Sequence, residues 1–205
     1  MLRRAAAVIL AASMLALAAC GGGGGGDDDG AAAGEGSGRP TSGGVSAGPA
    51  AEGVEGVEAY RIDSRNHTED DLDYDQDPPA GGDHSPVPAT CGYYDTLEAR
   101  PPDEFMVHDL EHGAVWIAFD PDLPDGQRDI LRDVVARQAK VTATPYADLD
   151  SPLVVTAWGR KLPLDSADDP RLAQFIDTYR NSAEAPEATA ACQGIGEPEV
   201  TAPAA

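Results

Sequence analysis

Residues 20–56 contain almost no large apolar side chains, and this limits where the chain can form a hydrophobic core. The segment has six consecutive glycines after Cys20 and continues mainly with Asp, Ala, Gly and Ser. A chain of this composition cannot bury enough apolar surface to offset the entropy of ordering it, so we expect a flexible tether. The core must therefore come from residues 57–196, which are close to the commonest domain size. Residues 197–205 are expected to form a disordered tail.

The first twenty residues have the pattern of a secretion signal. Two arginines precede an apolar run over residues 5–18, which is shorter than the roughly 20 residues that a membrane-spanning helix needs. The ending LAAC at Cys20 resembles the lipobox of bacterial lipoproteins, in which the cysteine is lipidated after cleavage. We therefore predict a signal peptide over residues 1–19, a palmitate-type lipid anchor on Cys20, and a location at the extracytoplasmic face of the cell membrane. In the alternative, the signal is cleaved and Cys20 has no role.

The chain is strongly acidic, with a formal net charge of −22 at pH 7. Loss of Arg3 and Arg4 with the signal would leave 12 of the 14 basic residues against 36 acidic ones. A surface of this sign argues against nucleic-acid binding and against docking on anionic lipid headgroups, because both interactions use Lys and Arg. We therefore expect contact with the membrane through the lipid anchor only and no nucleic-acid partner. The sequence identifies no protein partner.

Cys91 and Cys192 remain as an even pair once Cys20 is set aside. In a protein exported from the reducing cytoplasm, such a pair predicts a disulfide. On the chain-entropy model, closing a loop of about 100 residues contributes on the order of 4 to 5 kcal/mol. The alternative is that the two thiols bind a metal, but they lack the C-x-x-C spacing of most thiolate sites.

Hydrophobic patterning predicts strands and helices in a mixed order. Two amphipathic helices can both bury their apolar faces on one side of a small sheet. We therefore predict an α+β fold, a two-layer sandwich with the helices on one face of the sheet, preceded by a loop-rich N-terminal lobe. The predicted elements are strands at 57–62, 114–119, 141–144, 153–159 and 161–164, a helix at 125–139, and a second helix that Asp169 caps with Pro170 at its first position.

All four histidines fall within 46 residues of each other, whereas the rest of the chain has none. Two of them are four residues apart, so on a helix they would project from one face with Glu111 beside them. Imidazoles that converge with a carboxylate predict a site for Zn or Cu. In the alternative, the histidines are buried hydrogen-bonding residues that fix loops against the sheet. The candidate ligands are His67, His84, His108, Glu111 and His112.

Residues 108–112 also have the order H-x-x-E-H, which one class of zinc peptidases uses. Those enzymes need a long helix and a third ligand from a distant second helix. Here Gly113 ends any helix directly after His112, and a strand begins. A metal-dependent hydrolase is therefore the less favoured function, and we assign no catalytic residue. A structural or protein-interaction domain of the cell envelope is the main alternative to a metal-binding module.

An ordered set of short boxes resembles a bacterial family of unknown function numbered 3105. The resemblance covers roughly residues 60–196 and implies a compact extracytoplasmic domain with no established activity. Several members also pair a cysteine before G-x-Y with one near C-terminal glycines, as Cys91 and Cys192 would. No binding role comes with the resemblance. The boxes are YDQDPPAGGDH at 74–84, CGYY at 91–94, VHDLEHGAV at 107–115, PY at 145–146 and AWG at 157–159.

Overall fold

The computed structural model of the chain describes residues 39–41, 43, 45–47 and 53–205. The predicted signal peptide and Cys20 lie outside the described residues. No helix within the described part is long and apolar enough to cross a membrane. In chain order the elements are β1 (Val45–Ala47), β2 (Glu58–Ile62), β3 (Gly92–Tyr93), α1 (Asp103–Glu111), β4 (Val115–Phe119), α2 (Asp125–Arg137), β5 (Val141–Pro145), β6 (Leu153–Ala157), β7 (Arg160–Leu164), α3 (Pro170–Tyr179) and β8 (Val200–Thr201).

The strands form a mixed sheet with the order β1-β2-β7-β6-β4-β5-β3-β8. The pairs β4–β5 and β3–β5 are parallel, and the others are antiparallel. The parallel pair β4–β5 is possible because α2 forms the crossover between them. Strands and helices therefore combine in an α+β fold, as predicted.

Helices α2 and α3 pack on the same face of the sheet, as the two predicted helices were expected to do. Leu131 of α2 and Phe175 of α3 join Ile117 and Val155 in one buried cluster. The start of α3 also agrees with the prediction, because the carboxylate of Asp169 accepts a hydrogen bond from the Arg171 backbone N–H at 2.8 Å. The buried cluster between the two helices and the sheet is the main hydrophobic core.

Helix α1 packs on the opposite face of the sheet. Its residues Met106 and Leu110 form a second buried cluster with Trp116 of β4 and Trp158. The sequence predicted only a short turn of helix here, whereas α1 has nine residues. Because side chains alternate between the faces of a strand, the two clusters bury all five residues of β4. This double burial explains its unbroken apolar run.

Both ends of the predicted domain differ from the sequence-based boundaries. We expected residues 20–56 to be a tether, but β1 pairs with β2, and Arg39 forms ion pairs with Asp71 at 2.7 Å and Glu104 at 3.2 Å. We expected residues 197–205 to be a disordered tail, but β8 pairs with β3. In both cases backbone pairing or charge holds a segment that has few apolar side chains.

Cys91 and Cys192 are joined as the predicted disulfide, with their Cα atoms 5.4 Å apart. The backbone N–H of Cys91 also donates to the carbonyl of Cys192 at 3.2 Å, and the carbonyl of Cys91 accepts from Ala202 at 3.1 Å. The bond therefore links the segment before β3 to the C-terminal loop, across 101 residues of sequence.

Gly113 ends α1 in a Schellman motif. Its φ angle is +79°, and its N–H donates to the carbonyl of Leu110 at 2.9 Å. The N–H of Ala114 donates to the carbonyl of Asp109, also at 2.9 Å. These two bonds satisfy carbonyl groups that the end of a helix leaves unpaired. A Cβ added at Gly113 would lie 3.0 Å from the Cα of Asn181.

We predict that Gly113→Ala lowers the free energy of unfolding by about 1 to 3 kcal/mol, because alanine disfavours a positive φ and its methyl group would crowd the Asn181 backbone. Gly126→Ala in the first turn of α2 is the matched control, since no atom lies within 4 Å of its added Cβ. It should instead raise stability by up to about 1 kcal/mol. Urea denaturation of the two variants measures both effects, and equal changes would contradict this account.

Candidate metal centre

A tight loop delivers His84 to the interior. Gly81 and Gly82 adopt φ angles of +145° and +128°, which residues with a side chain rarely adopt. The carboxylate of Asp83 accepts a hydrogen bond from the Asn66 backbone N–H at 2.6 Å, and the carbonyl of Asp83 accepts one from the Tyr74 hydroxyl at 2.8 Å. The ring of His84 is consequently held in place with none of its surface exposed.

His67 is brought beside His84 by backbone pairing. The His84 N–H donates to the carbonyl of Asn66 at 3.0 Å, and the Thr68 N–H donates to the carbonyl of His84 at 2.8 Å. The two imidazole rings are 4.8 Å apart, and the His67 ring also stacks on that of His108 at 5.0 Å. The side chain of His67 is 45% exposed, whereas the other three histidines are buried.

Helix α1 supplies His108, Glu111 and His112 from its last turn and its C-cap. All three side chains are buried between α1 and the loops that cover it. The rings of His108 and His112 are 4.4 Å apart, as expected for residues four apart on a helix. The five predicted ligands therefore lie in one corner of the domain, which we call the histidine corner.

Backbone carbonyls fix the orientation of three imidazoles. Nδ1 of His84 lies 2.8 Å from the carbonyl of Gly82, Nδ1 of His108 lies 2.6 Å from that of Ser85, and Nδ1 of His112 lies 2.7 Å from that of Ala191. A carbonyl oxygen can only accept a hydrogen bond, so each Nδ1 must carry the proton. In the neutral ring, each Nε2 is then left with a lone pair.

These Nε2 atoms face other electron-rich atoms. Nε2 of His84 lies 3.0 Å from a carboxylate oxygen of Glu111, and that oxygen is 3.5 Å from Nε2 of His67. Nε2 of His108 lies 2.9 Å from Nε2 of His112. If the rings are neutral, both close contacts bring two lone pairs together. Each contact therefore calls for a proton or a metal ion between its partners.

Burial opposes the proton for two of the rings. It lowers the pKa of His108 and of His112 below the usual histidine value, although their hydrogen bonds to Ser85 and Ala191 offset part of the effect. For His108, the neighbouring imidazoles lower the pKa further. Both rings are therefore expected to be neutral at pH 7.

Three imidazoles come close enough to share one ion. Ligand atoms of His67, His84 and His108 all lie within 4.8 Å of one another. Two nitrogens bound tetrahedrally to one zinc are about 3.3 Å apart, so binding would require the ligand atoms to approach one another by up to about 1.5 Å. His67 is the one of these three side chains that is not buried. Glu111 contacts this group at Nε2 of His84, and His112 contacts it at Nε2 of His108.

Three charged residues at the corner were not predicted. Arg65 places its guanidinium 3.6 Å from Glu111, and Glu187 places a carboxylate 3.7 Å from Nε2 of His112. Lys140 fixes the end of α1 by donating to the carbonyl of His112 at 3.0 Å. Glu187 and Lys140 come from distant segments, so their sequence positions gave no signal. Arg65 lies two residues before His67 in the sequence, so its place near the histidines could have been inferred from that spacing.

A second group of ligand-type atoms lies on another side of α1. A carboxylate oxygen of Asp109 and the sulfur atoms of Cys91 and Cys192 are all within 4.8 Å of one another. All three residues are buried. No role was predicted for Asp109 from the sequence.

Comparison with known proteins gives a family but no activity. The family model described as "Protein of unknown function (DUF3105)" matches residues 66–194, which is more than half of the chain. The matched range contains the four histidines, Glu111 and both cysteines of the disulfide. No curated protein and no solved structure matches the chain.

We predict that His108 and His112 of the metal-free protein carry their proton on Nδ1 and titrate below the usual value of 6.5. The unfolded chain then binds more protons than the folded one as the pH falls through 6.5, so stability is lost on acidification. Long-range ¹H–¹⁵N NMR of the imidazoles across a pH series measures the tautomers and the pKa values. A pKa above 6.5 for either ring would mean that the two rings share a proton, contrary to this account.

Proposed function

The chain belongs to the DUF3105 family, and within that family we propose that it is a transition-metal-binding module. His67, His84 and His108 bind the ion, Glu111 supplies a negative charge, and His112 is the additional ligand next to His108. Zn²⁺ and Cu²⁺ are the ions that suit this set, because imidazole nitrogens dominate it.

The observation that carries the proposal is the pair of short contacts at Nε2. His84 faces Glu111 at 3.0 Å, and His108 faces His112 at 2.9 Å, with Nδ1 of each of the three histidines occupied by a carbonyl. A divalent cation placed between the partners of either contact would satisfy the lone pairs that meet there. It also offsets the desolvation of the buried Glu111 carboxylate, which is otherwise costly.

The carbonyls that hold the rings support the same function. Imidazoles that bind metals commonly donate their second N–H to a carbonyl or carboxylate, which fixes the tautomer and aims the lone pair. Gly82, Ser85 and Ala191 serve the three buried rings in this way. These acceptors come from two separate segments, the loop that contains Gly82 and Ser85 and the loop that contains Ala191, so the arrangement does not follow from the geometry of one helix.

A structural role for the histidines is the alternative that the experiments below separate from metal binding. Rings that only pack would be satisfied by a shared proton, and their loss would change stability without changing metal content. Metal-dependent hydrolysis is less favoured, because Glu111 is buried with a carboxylate oxygen 3.0 Å from His84. A general base needs a free oxygen that can reach a water molecule.

We also propose that the module is held at the extracytoplasmic face of the membrane by lipid on Cys20. The lipobox-like ending at Cys20 supports this location. The disulfide between Cys91 and Cys192 is consistent with it, because such bonds persist in oxidising compartments.

We predict that adding Zn²⁺ or Cu²⁺ to the oxidised, metal-free full chain raises its melting temperature by roughly 5 to 10 °C when the ion is at about 100 times its Kd. His67→Ala should weaken binding at least about tenfold, because it removes a ligand. It should leave the metal-free melting temperature nearly unchanged, because the ring is largely exposed. Isothermal titration and differential scanning calorimetry measure the two quantities.

Asn66→Ala is the matched control for His67→Ala, since it changes the exposed neighbouring side chain without removing a ligand. It should keep the affinity of the original protein. Binding no tighter than micromolar in the original protein, or equal affinity in the His67→Ala variant, would count against a metal site. A His108→Ala, His112→Ala double variant that is less stable but unchanged in metal content would favour the structural alternative.

We predict that Cys20→Ser moves the protein from the membrane fraction to the soluble fraction of the cells that make it, because the substitution removes the thiol that carries the lipid. The globular domain should keep its melting temperature. Cell fractionation with immunodetection measures the distribution. Equal membrane retention of the Cys20→Ser variant would rule out lipid anchoring through this residue.

A further inference from the structure

Asp109 is a buried carboxyl group whose oxygens have no hydrogen bond of good geometry among the described residues, and the backbone N–H of Ala89 compensates it only in part. Its surface is 1% exposed. An unpaired buried polar group costs roughly 1 to 3 kcal/mol, and a charged one costs more. Such a group in a folded protein therefore calls for an explanation. The histidine corner does not supply one, because Asp109 is not among the atoms that meet there.

The two sulfur atoms of the disulfide lie close to this carboxyl group. One carboxylate oxygen of Asp109 and both sulfur atoms lie within 4.8 Å of one another. Each residue is held by a different element, since Asp109 belongs to α1, Cys91 immediately precedes β3, and Cys192 lies in the C-terminal loop. Three donors from three parts of the fold thus converge on one buried point.

We propose that, when the disulfide is reduced, Cys91, Cys192 and Asp109 form a second metal site that is distinct from the histidine corner. Two thiolates and one carboxylate suit a soft or borderline ion of the Zn²⁺ and Cd²⁺ class. Sulfur atoms bound tetrahedrally to one zinc are about 3.8 Å apart. In the disulfide the two sulfur atoms are bonded to each other, so they must move apart after reduction, whereas a carboxylate oxygen of Asp109 already lies within 4.8 Å of both.

The redox state decides whether this site exists, because the thiolate is the metal ligand and a disulfide offers none. An external dithiol supplies the two electrons. One of its thiolates attacks a sulfur of the disulfide, the bond between Cys91 and Cys192 breaks, and the second external thiol resolves the mixed disulfide. The external dithiol leaves as a disulfide, and both cysteines become thiols. Metal binding then releases the two thiol protons, and that of the Asp109 carboxyl group, to solvent.

A cavity of about 380 Å³ lies beside the disulfide. Cys91, Cys192 and Lys140 are among the residues that line it. Two thiolates, one carboxylate and a divalent ion have a net charge of −1, and the ammonium group of Lys140 has the opposite sign. The amine of Lys140 is fixed at this cavity by three acceptors: the carbonyls of His112 and Ala188 and the side chain of Asn181.

The test compares oxidised and reduced full chain with Cd²⁺ as the probe. After reduction and anaerobic removal of the reductant, Cd²⁺ should produce a thiolate-to-cadmium charge-transfer band at one equivalent. It should also slow the reaction of both thiols with a chromogenic disulfide at least about tenfold. The oxidised protein should show no such band. A reduced protein without the band, or thiols that react equally fast with and without Cd²⁺, would overturn the proposal.

Asp109→Asn is the variant that tests the carboxylate. In the reduced state it should weaken Cd²⁺ binding at least about tenfold, whereas Asp177→Asn on the exposed face of α3 should have no effect. If the reduced Asp109→Asn variant bound Cd²⁺ as tightly as the original protein, the carboxylate would not be a ligand. If this variant does not fold, thiol protection in the original protein still decides between a metal site and none. A negative result in these experiments would not bear on the proposed metal site at the histidine corner, because binding there is measured in the oxidised protein.

Discussion

The left-handed turn at Gly113 links the core of this protein to its histidine corner. It ends α1 directly after His112, so that His108, Glu111 and His112 occupy the last turn and the C-cap of the helix. It also reverses the chain into β4, the strand that both hydrophobic clusters bury. Nearby backbone crowds the space that a side chain would need at Gly113. The helix that carries the ligands and the central strand are consequently positioned by the same two hydrogen bonds.

The histidine corner combines rigid and adjustable parts. Carbonyl groups hold three imidazoles in one tautomer, and these rings have little or no contact with solvent. The fourth ring, that of His67, stacks on one of them from the exposed side. An ion that bound there would find three imidazoles already oriented, which would limit the entropy lost on binding. The exposed side of His67 is where an ion could enter.

The hydrophobic pattern of the sequence predicted the elements in which apolar side chains are buried at regular intervals. β4, β5, β6, α2 and α3 were located to within a few residues, because alternation and helical spacing describe them well. The length of α1 was missed, because its buried residues include Glu104, His108, Asp109 and Glu111. Polar side chains that are buried through specific contacts leave no hydrophobic period to detect. β8 was missed for a related reason, since it is held by backbone pairing to β3.

The candidate site was predictable in residue type and not in arrangement. The spacing of His108 and His112 and their adjacency to Glu111 follow from helix geometry. The carbonyl groups that orient the rings carry no sequence signal, because every residue has one. The approach of Lys140 and Glu187 depends on the tertiary fold. Asp109 is recognisable as unusual only once its burial is known.

The pairing of β8 with β3 affects how the domain can be isolated. The family match ends at residue 194, whereas β8 begins at Val200. A fragment cut at the family boundary would uncover the outer edge of β3, and exposed strand edges pair with other chains. The cut would also fall two residues beyond Cys192 and three beyond Ala191, whose carbonyl orients His112. The C-terminal segment, which has the composition of a disordered tail, therefore covers the edge of the sheet. It also stabilises the loop that contacts His112.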